Sequence, residues 1–294
     1  MVEAVIECIT SLTAIFGNAL LISAIISTPR LRTPSFCLVL SQAFSDLTLG
    51  LTVQPLCATF LIFQFQTGFV FNHCYLLIIT TSISYFLSAV STMSSTALSI
   101  DRFLAIHLKM RYKTTVTMYR VQIVVIAIWA FASIFPIIAY STFEFKYKAI
   151  PVVVGATICS LTIFFCYAFA LKELRDHITE VGCQHPLDDK NLPTENTTRT
   201  LDLSKYKRSV WTLILIEVVF VIFATPALVL WCYCLAYKIN QKILDVMYTT
   251  GTLWRLTASI NPALHISRMS DLREASFAVI IKIKVFILSM ILCS

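Results

Sequence analysis

FCLVLSQAFSDLTLGLTVQPLCATFLIF, residues 36–63, runs for 28 residues with a single charged side chain, Asp46. A helix of about 20 apolar residues already crosses a hydrocarbon layer about 30 Å thick, at about 1.5 Å per residue. The stretch therefore reads as a membrane span carrying one charge. Working outward, six further runs have the same character: 8–28, 74–106, 121–140, 149–171, 209–237 and 243–266. Together they hold about three fifths of the 294 residues. Each must be helical, because a lone strand would leave its backbone groups unpaired in lipid. The fold class is all-α and integral to the membrane, a seven-transmembrane helix bundle.

Composition supports lipid as the main solvent. Apolar residues make up 57% and charged residues 13%, with a mean hydropathy of +0.80. Soluble domains carry about 45–50% and about 25%. The 23 Lys and Arg and 16 Asp and Glu are too few to cover a water-soluble surface. With 6 Gly and 9 Pro, collagen-like and glycine-linker architectures are excluded. The net charge of +7 is distributed by face: 18 of the 23 basic residues fall in the odd-numbered loops and the tail. The opposite face holds Lys146, Lys148, Lys238 and Lys242, and Arg255 lies inside a span. Because basic residues stay on the cytoplasmic side, the amino terminus is expected outside and the carboxyl terminus inside. The charge is a topology signal and gives no reason to invoke nucleic acid.

Glu3 and Glu7 stand where a cleavable signal would be basic, so the first span is expected to act as a signal-anchor behind about seven exposed residues. Residues 172–208, with seven basic and seven acidic side chains among Pro, Asn and Thr, are expected to form a flexible third cytoplasmic loop within a seven-span domain of 1–275. The apolar tail 276–294 includes a 17-residue run, 277–293, interrupted by Lys282, Lys284 and Ser289. It is read as a short amphipathic eighth helix lying on the membrane; an eighth span, or a tail foreign to the native product, remain open.

A charge at mid-span costs about 2.5–3.5 kcal/mol by insertion scales, so each one needs a reason. Asp46 is either an ion or switch site or a helix-packing hydrogen bond. Asp101 and Arg102 end the third span, as a switch or as interfacial anchors. Arg255 is a ligand contact for a carboxylate or phosphate, or an internal hydrogen-bond anchor. Glu217 could meet Arg102 or water. Pro226 and Pro262 each remove a backbone donor from a helix interior.

These residues lie in a pattern that resembles the rhodopsin-like (class A) G-protein-coupled receptors. The first span has Gly17-Asn18, and the second has Leu40-Ser41-Gln42-Ala43-Phe44-Ser45-Asp46-Leu47. The third ends in Asp101-Arg102-Phe103, where the family has Asp-Arg-Tyr. Trp129 and Pro136 mark the fourth, Tyr167 the fifth, and Phe220 with Pro226 the sixth. Asn261-Pro262-Ala263-Leu264-His265 is similar to Asn-Pro-x-x-Tyr. The short loop 141–148 and Cys159 are similar to the melanocortin receptors, whose branch includes adenosine and cannabinoid receptors.

The resemblance implies a multi-pass plasma-membrane receptor that is not an enzyme. Such a receptor transmits a small-ligand or short-peptide signal to a heterotrimeric G protein by outward movement of the sixth helix. It implies coupling and switch roles for Asp101, Arg102, Phe103, Tyr167, Phe220, Pro226, Asn261, Pro262 and His265. It implies an allosteric sodium ion at Asp46, Ser91 and Asn261, with no other cofactor required. It implies a ligand pocket of Ser84, Tyr85, Ser88, Leu228, Trp231, Gly251 and Arg255. Ser84 stands where amine receptors carry an aspartate, which disfavours a monoamine. Arg255 stands at the retinal-lysine position of opsins, and arginine forms no Schiff base at ordinary pH.

Some positions depart from the family pattern. Cys74 lies 28 residues before Arg102, and no cysteine occurs between Cys74 and Cys159, so the usual outer-loop disulfide has no partner. Ala224 replaces the usual tryptophan two before Pro226, Tyr206 stands where many relatives have an acid, and His265 replaces tyrosine. Raised basal activity is expected, with poor coupling as the alternative. A transporter or channel using Asp46, Glu217 and Arg255 is the competing class.

Overall fold

The computed structural model describes residues 1–67, 74–134, 136–137, 145–183, 218–219, 221–237 and 241–293. Its regular elements are helices: α1 (Val2–Ser27), α2 (Pro34–Leu51), α3 (Val53–Thr67), α4 (Cys74–Leu108), α5 (Tyr112–Thr115), α6 (Met118–Ala132), α7 (Phe145–Cys183), α8 (Val221–Ala236), α9 (Gln241–Arg268) and α10 (Ser270–Cys293). Short 3-10 turns, Pro29–Leu31 and Lys109–Arg111, join α1 to α2 and α4 to α5. Among the described residues four stretches are long and apolar enough to cross a membrane: Val2–Ser27, Pro34–Gln66, Ile78–Leu108 and Ile150–Glu173. Helices α6 and α8 are apolar but shorter.

Several boundaries differ from the sequence reading. Helix α1 starts at Val2, so Glu7 belongs to the helix and is buried, where an exposed leader of about seven residues was expected. The run 36–63 is two helical pieces that meet at Thr52, whose hydroxyl bonds the Thr48 carbonyl at 2.7 Å. Helix α7 continues to Cys183, through the first part of the stretch expected to be a flexible loop; 184–217 lies outside the described residues. Helix α10 is neither short nor amphipathic along its length. Leu272, Ala275 and Ser276 are buried in its first turns, but from Phe277 to Met290 large apolar side chains are exposed on every face.

Polar side chains are buried in the bundle among apolar ones, and large apolar side chains cover its outside. Asn18, Ser45, Asp46, Gln54 and Ser94 are buried, while Phe16, Ile126, Phe164 and Ile222 are exposed. That inversion is what a hydrocarbon solvent requires, since a polar group facing lipid finds no partner. It also explains why α9 is not apolar enough by composition to count as a span: its Thr252, Arg255 and Asn261 are turned inward against α1 and α2.

Helix α4 packs against α2, α3, α6 and α7, and α1 packs against α2, α3, α9 and α10. Interhelical bonds fix these contacts. Trp129 Nε1 donates to Ser41 at 3.0 Å, Ser41 and Ser94 share a hydrogen bond at 3.2 Å, and Ser11 donates to the Gly50 carbonyl at 2.8 Å. Small residues permit the approach: a Cβ on Gly17 would sit 2.8 Å from Pro262 Cγ, inside the range that real contacts avoid. Gly17→Val is therefore expected to destabilise the bundle by about 1–3 kcal/mol through overpacking. Thermal unfolding of the purified protein should show a midpoint several degrees lower for Gly17→Val and little change for the lipid-facing Phe16→Ala.

Candidate functional site

Three polar sites occupy different depths of the bundle, separated by apolar packing. The first borders a cavity of about 550 Å³ lined by α3, α4, α6, α7, α8 and α9. Ser84, Tyr85 and Ser88 line it from α4, Trp231 from α8, and Gly251 and Arg255 from α9. Leu228 does not line it; one position back along α8, the buried Ala227 does. Tyr85 meets Trp231 edge to face, ring centroids 5.6 Å apart, and Phe60 packs on Tyr248 at 5.4 Å. A volume of this size with mainly apolar and aromatic walls suits a small organic ligand.

Arg255 does not meet the cavity as an isolated cation. Its Nε donates to Glu7 Oε1 at 3.0 Å, its Nη2 donates to the same oxygen, and Thr252 Oγ1 donates to it at 2.8 Å. Glu7 is fully buried. A second acid from the same end of α1, Glu3, accepts from the Thr249 hydroxyl. The carboxylate expected from a ligand is thus supplied by the chain itself, and the internal-anchor reading of Arg255 describes two of its nitrogens. Sequence reasoning missed Glu7 by placing it outside the first span. Glu7, Thr10, Ser11, Ala14 and Asn18 recur at three- and four-residue spacing and form the buried stripe of α1. That stripe was the available signal.

The second site is at mid-bundle. Asp46 is buried and accepts from Asn261 Nδ2 at 2.9 Å, and the Ser91 hydroxyl also hydrogen-bonds it. Both partners are neutral. One turn before Pro262, the Ala258 carbonyl lacks the backbone donor that a residue other than proline at 262 would supply. Asn18 Nδ2 donates to it at 3.0 Å and to the Ala14 carbonyl at 2.8 Å. Asp46, Ser91 and Asn261 are brought together as the sequence suggested, and Asn18 and Gly17 hold the proline-bearing helix beside them.

The third site lies in the last third of α4. Asp101 is buried and accepts from Ser35 Oγ at 2.6 Å and Tyr112 Oη at 2.7 Å, while Arg102 Nε lies 3.9 Å from its carboxylate. Burial pushes the Tyr112 phenol up to about 12, so it remains a protonated donor to Asp101. Ser35 and Tyr112 were not singled out from sequence. Tyr167 Oη pairs with Ser99 Oγ at 3.0 Å. Phe103 stacks on His107 with centroids 5.6 Å apart, and His107 Nδ1 meets the Glu173 carboxylate at 3.3 Å. His265 is buried with neither ring nitrogen hydrogen-bonded among the described residues. Pro226 lies within α8; Phe220, Tyr206 and Glu217 fall outside the described residues.

Removing one member of a buried ion pair strands the other and costs about 3–5 kcal/mol, whereas removing both relieves that penalty. Glu7→Ala and Arg255→Ala are each expected to lower the thermal midpoint of the purified protein markedly. The double variant should fall well short of the sum; strictly additive losses would show that the pair is not coupled.

Residues 17–148 match the model of the 7 transmembrane receptor (rhodopsin family). The G-protein coupled receptor 3 of Rattus norvegicus is 24% identical over 94% of this chain and 81% of its own length. The Histamine H2 receptor of Rattus norvegicus is 35% identical over 40% of this chain and 32% of that receptor. The Adenosine receptor A2b of Bos taurus is 31% identical over 43% of this chain and 36% of that receptor. None of these matches supports the transporter or channel alternative. The matched segment contains Asn18, Asp46, Trp129 and the Asp101-Arg102 pair, and over it the chain is similar to the rhodopsin-like, class A G-protein-coupled receptors.

Proposed function

We propose that this receptor crosses the plasma membrane seven times, amino terminus outside and carboxyl terminus inside, with α10 lying along the membrane. It binds a small ligand or short peptide in the cavity and passes the signal to a heterotrimeric G protein by outward movement of the sixth helix. The observation that carries this reading is the layout of α4. Ser84 borders the cavity and Arg102 lies 18 residues further along the same helix, about 27 Å away at about 1.5 Å per residue. A ligand that fits one bundle arrangement better than another shifts the population, and reciprocal coupling links the two ends.

Arg102 and its neighbours form the coupling end, with Asp101 steadied by Ser35 and Tyr112 as a fixed negative partner. Phe103, Tyr167, Phe220, Pro226, Asn261, Pro262 and His265 act in the switch. A buried imidazole without partners costs about 1–3 kcal/mol, which favours rearrangements that hydrate or pair His265. This supports basal signalling without ligand. The cavity is the ligand site, and the uncharged Ser84 argues against a monoamine, which needs a carboxylate there.

A buried carboxylate whose described partners are neutral suits a monovalent cation. Asp46, Ser91 and Asn261 would hold sodium, and the ion would supply the positive charge that the side chains do not. Their own work is to tie α2, α4 and α9 together at mid-bundle.

The test is nucleotide exchange on a panel of G proteins in membranes carrying the chain or Arg102→Ala, without ligand. Exchange on at least one G protein, lost in Arg102→Ala, is expected; equal background from both at matched surface expression sinks the basal-signalling reading. In the same membranes, replacing sodium by an organic cation should change wild-type exchange and leave Asp46→Asn unchanged. A sodium effect that persists in Asp46→Asn removes the ion from this site.

A further inference from the structure

We infer that the cavity selects an uncharged, largely apolar ligand that presents a hydrogen-bond acceptor to Nη1 of Arg255. This rests on the reading of the cavity as the ligand site. Arg255 lines the cavity, yet Nε and Nη2 are both committed to Glu7, and Nη2 also reaches Thr252 at 3.2 Å. Nη1 makes no hydrogen bond among the described residues. It lies beside Gly251, itself a lining residue, where even a Cβ would come within 3.1 Å of it. The glycine therefore leaves the approach to this nitrogen open.

A second polar side chain stands in the cavity wall with its hydrogen-bonding capacity unused. Thr80 lines the cavity, is more than nine-tenths buried, and its hydroxyl has no partner among the described residues. Tyr85, also on the wall, likewise makes no protein hydrogen bond among the described residues. The remaining wall is apolar or aromatic, Trp231, Trp254, Phe60 and Tyr248 among it. A ligand with one acceptor-bearing end and an apolar body satisfies both parts.

Charge decides between a neutral and an anionic acceptor. Glu7 has already neutralised Arg255, and its own second oxygen is buried without a partner. A ligand carboxylate would bring a second negative charge to one guanidinium in an apolar cavity, losing its hydration without a free cation to offset it. An amide or ketone oxygen gains the Nη1 bond without that penalty. The site that sequence alone suggested for a carboxylate or phosphate is thereby selective for the opposite class.

The test uses a shape-matched pair, 6-phenylhexanamide and 6-phenylhexanoate, titrated at neutral pH against the full chain purified in lipid nanodiscs, with binding followed by thermal stabilisation. The wild type is expected to bind the amide at least tenfold more tightly. Glu7→Gln keeps an oxygen for Arg255 but removes the charge, and should shift selectivity toward the carboxylate by at least tenfold. The wild-type comparison stands alone if Glu7→Gln does not fold. Equal or tighter binding of the carboxylate by the wild type, no binding of either probe, or unchanged selectivity in folded Glu7→Gln overturns the inference. Amide selectivity without any effect on nucleotide exchange would uphold it while counting against the signalling role of the cavity.

Discussion

Proline at position 262 leaves the Ala258 carbonyl without a backbone donor in a helix whose surroundings are hydrocarbon. Water at the surface of a soluble protein would satisfy that oxygen; here a side chain must. Asn18 does so from α1, and it can reach only because Gly17, its neighbour in sequence, lets α1 close onto Pro262. Once α1 and α9 are in register at this depth, Glu7 falls opposite Arg255 three turns away, and Ser259 donates to the Thr10 carbonyl at 2.7 Å between them. The contact at the proline thus sets the register in which the charged pair can form.

The same rule governs the buried acids, and each is answered differently. Glu7 has a cation. Asp46 has neutral donors from Asn261 and Ser91. Asp101 has two hydroxyl donors and a guanidinium at 3.9 Å. Hydroxyl and amide donors lower the cost of burying a carboxylate without cancelling its charge. Asp46 therefore keeps a demand for positive charge that Glu7 has lost. Two acids within one bundle thus differ in what they still lack: one has a cation beside it, and the other has only neutral donors.

The helical, membrane-embedded character was legible from run length and hydropathy, because a bilayer forces both. The mid-bundle cluster was legible too, since Asp46 and Asn261 stand out as polar residues in apolar runs. The limits lay in pairs whose partners are ordinary in sequence. Ser35 and Tyr112 are 66 and 11 residues from Asp101, and neither a serine near a helix start nor a tyrosine in a loop announces a carboxylate. Glu7 sits 248 residues from Arg255 and close enough to the terminus to look solvent-exposed. Leu228 was one helical position out: Ala227 faces the cavity, and a neighbouring position on a helix points about 100° away. The break at Thr52 falls between Gly50 and Pro55, and Pro55 has no N–H to offer the Leu51 carbonyl, a signal the reading of 36–63 as one span passed over.

Arg255 shows how such a miss changes a functional reading. Considered alone, a guanidinium facing an outer cavity is an anion receptor, because an unpaired intramembrane cation must find its counter-charge somewhere. Paired with Glu7 it becomes a neutral, oriented donor, with two nitrogens fixed and one left over. Preorganisation then favours a weaker acceptor: the guanidinium need not be desolvated or turned when a ligand arrives, and no second charge has to be buried. The ligand class follows from the electrostatics of a residue that touches the cavity and of another, on α1, that only holds it in place.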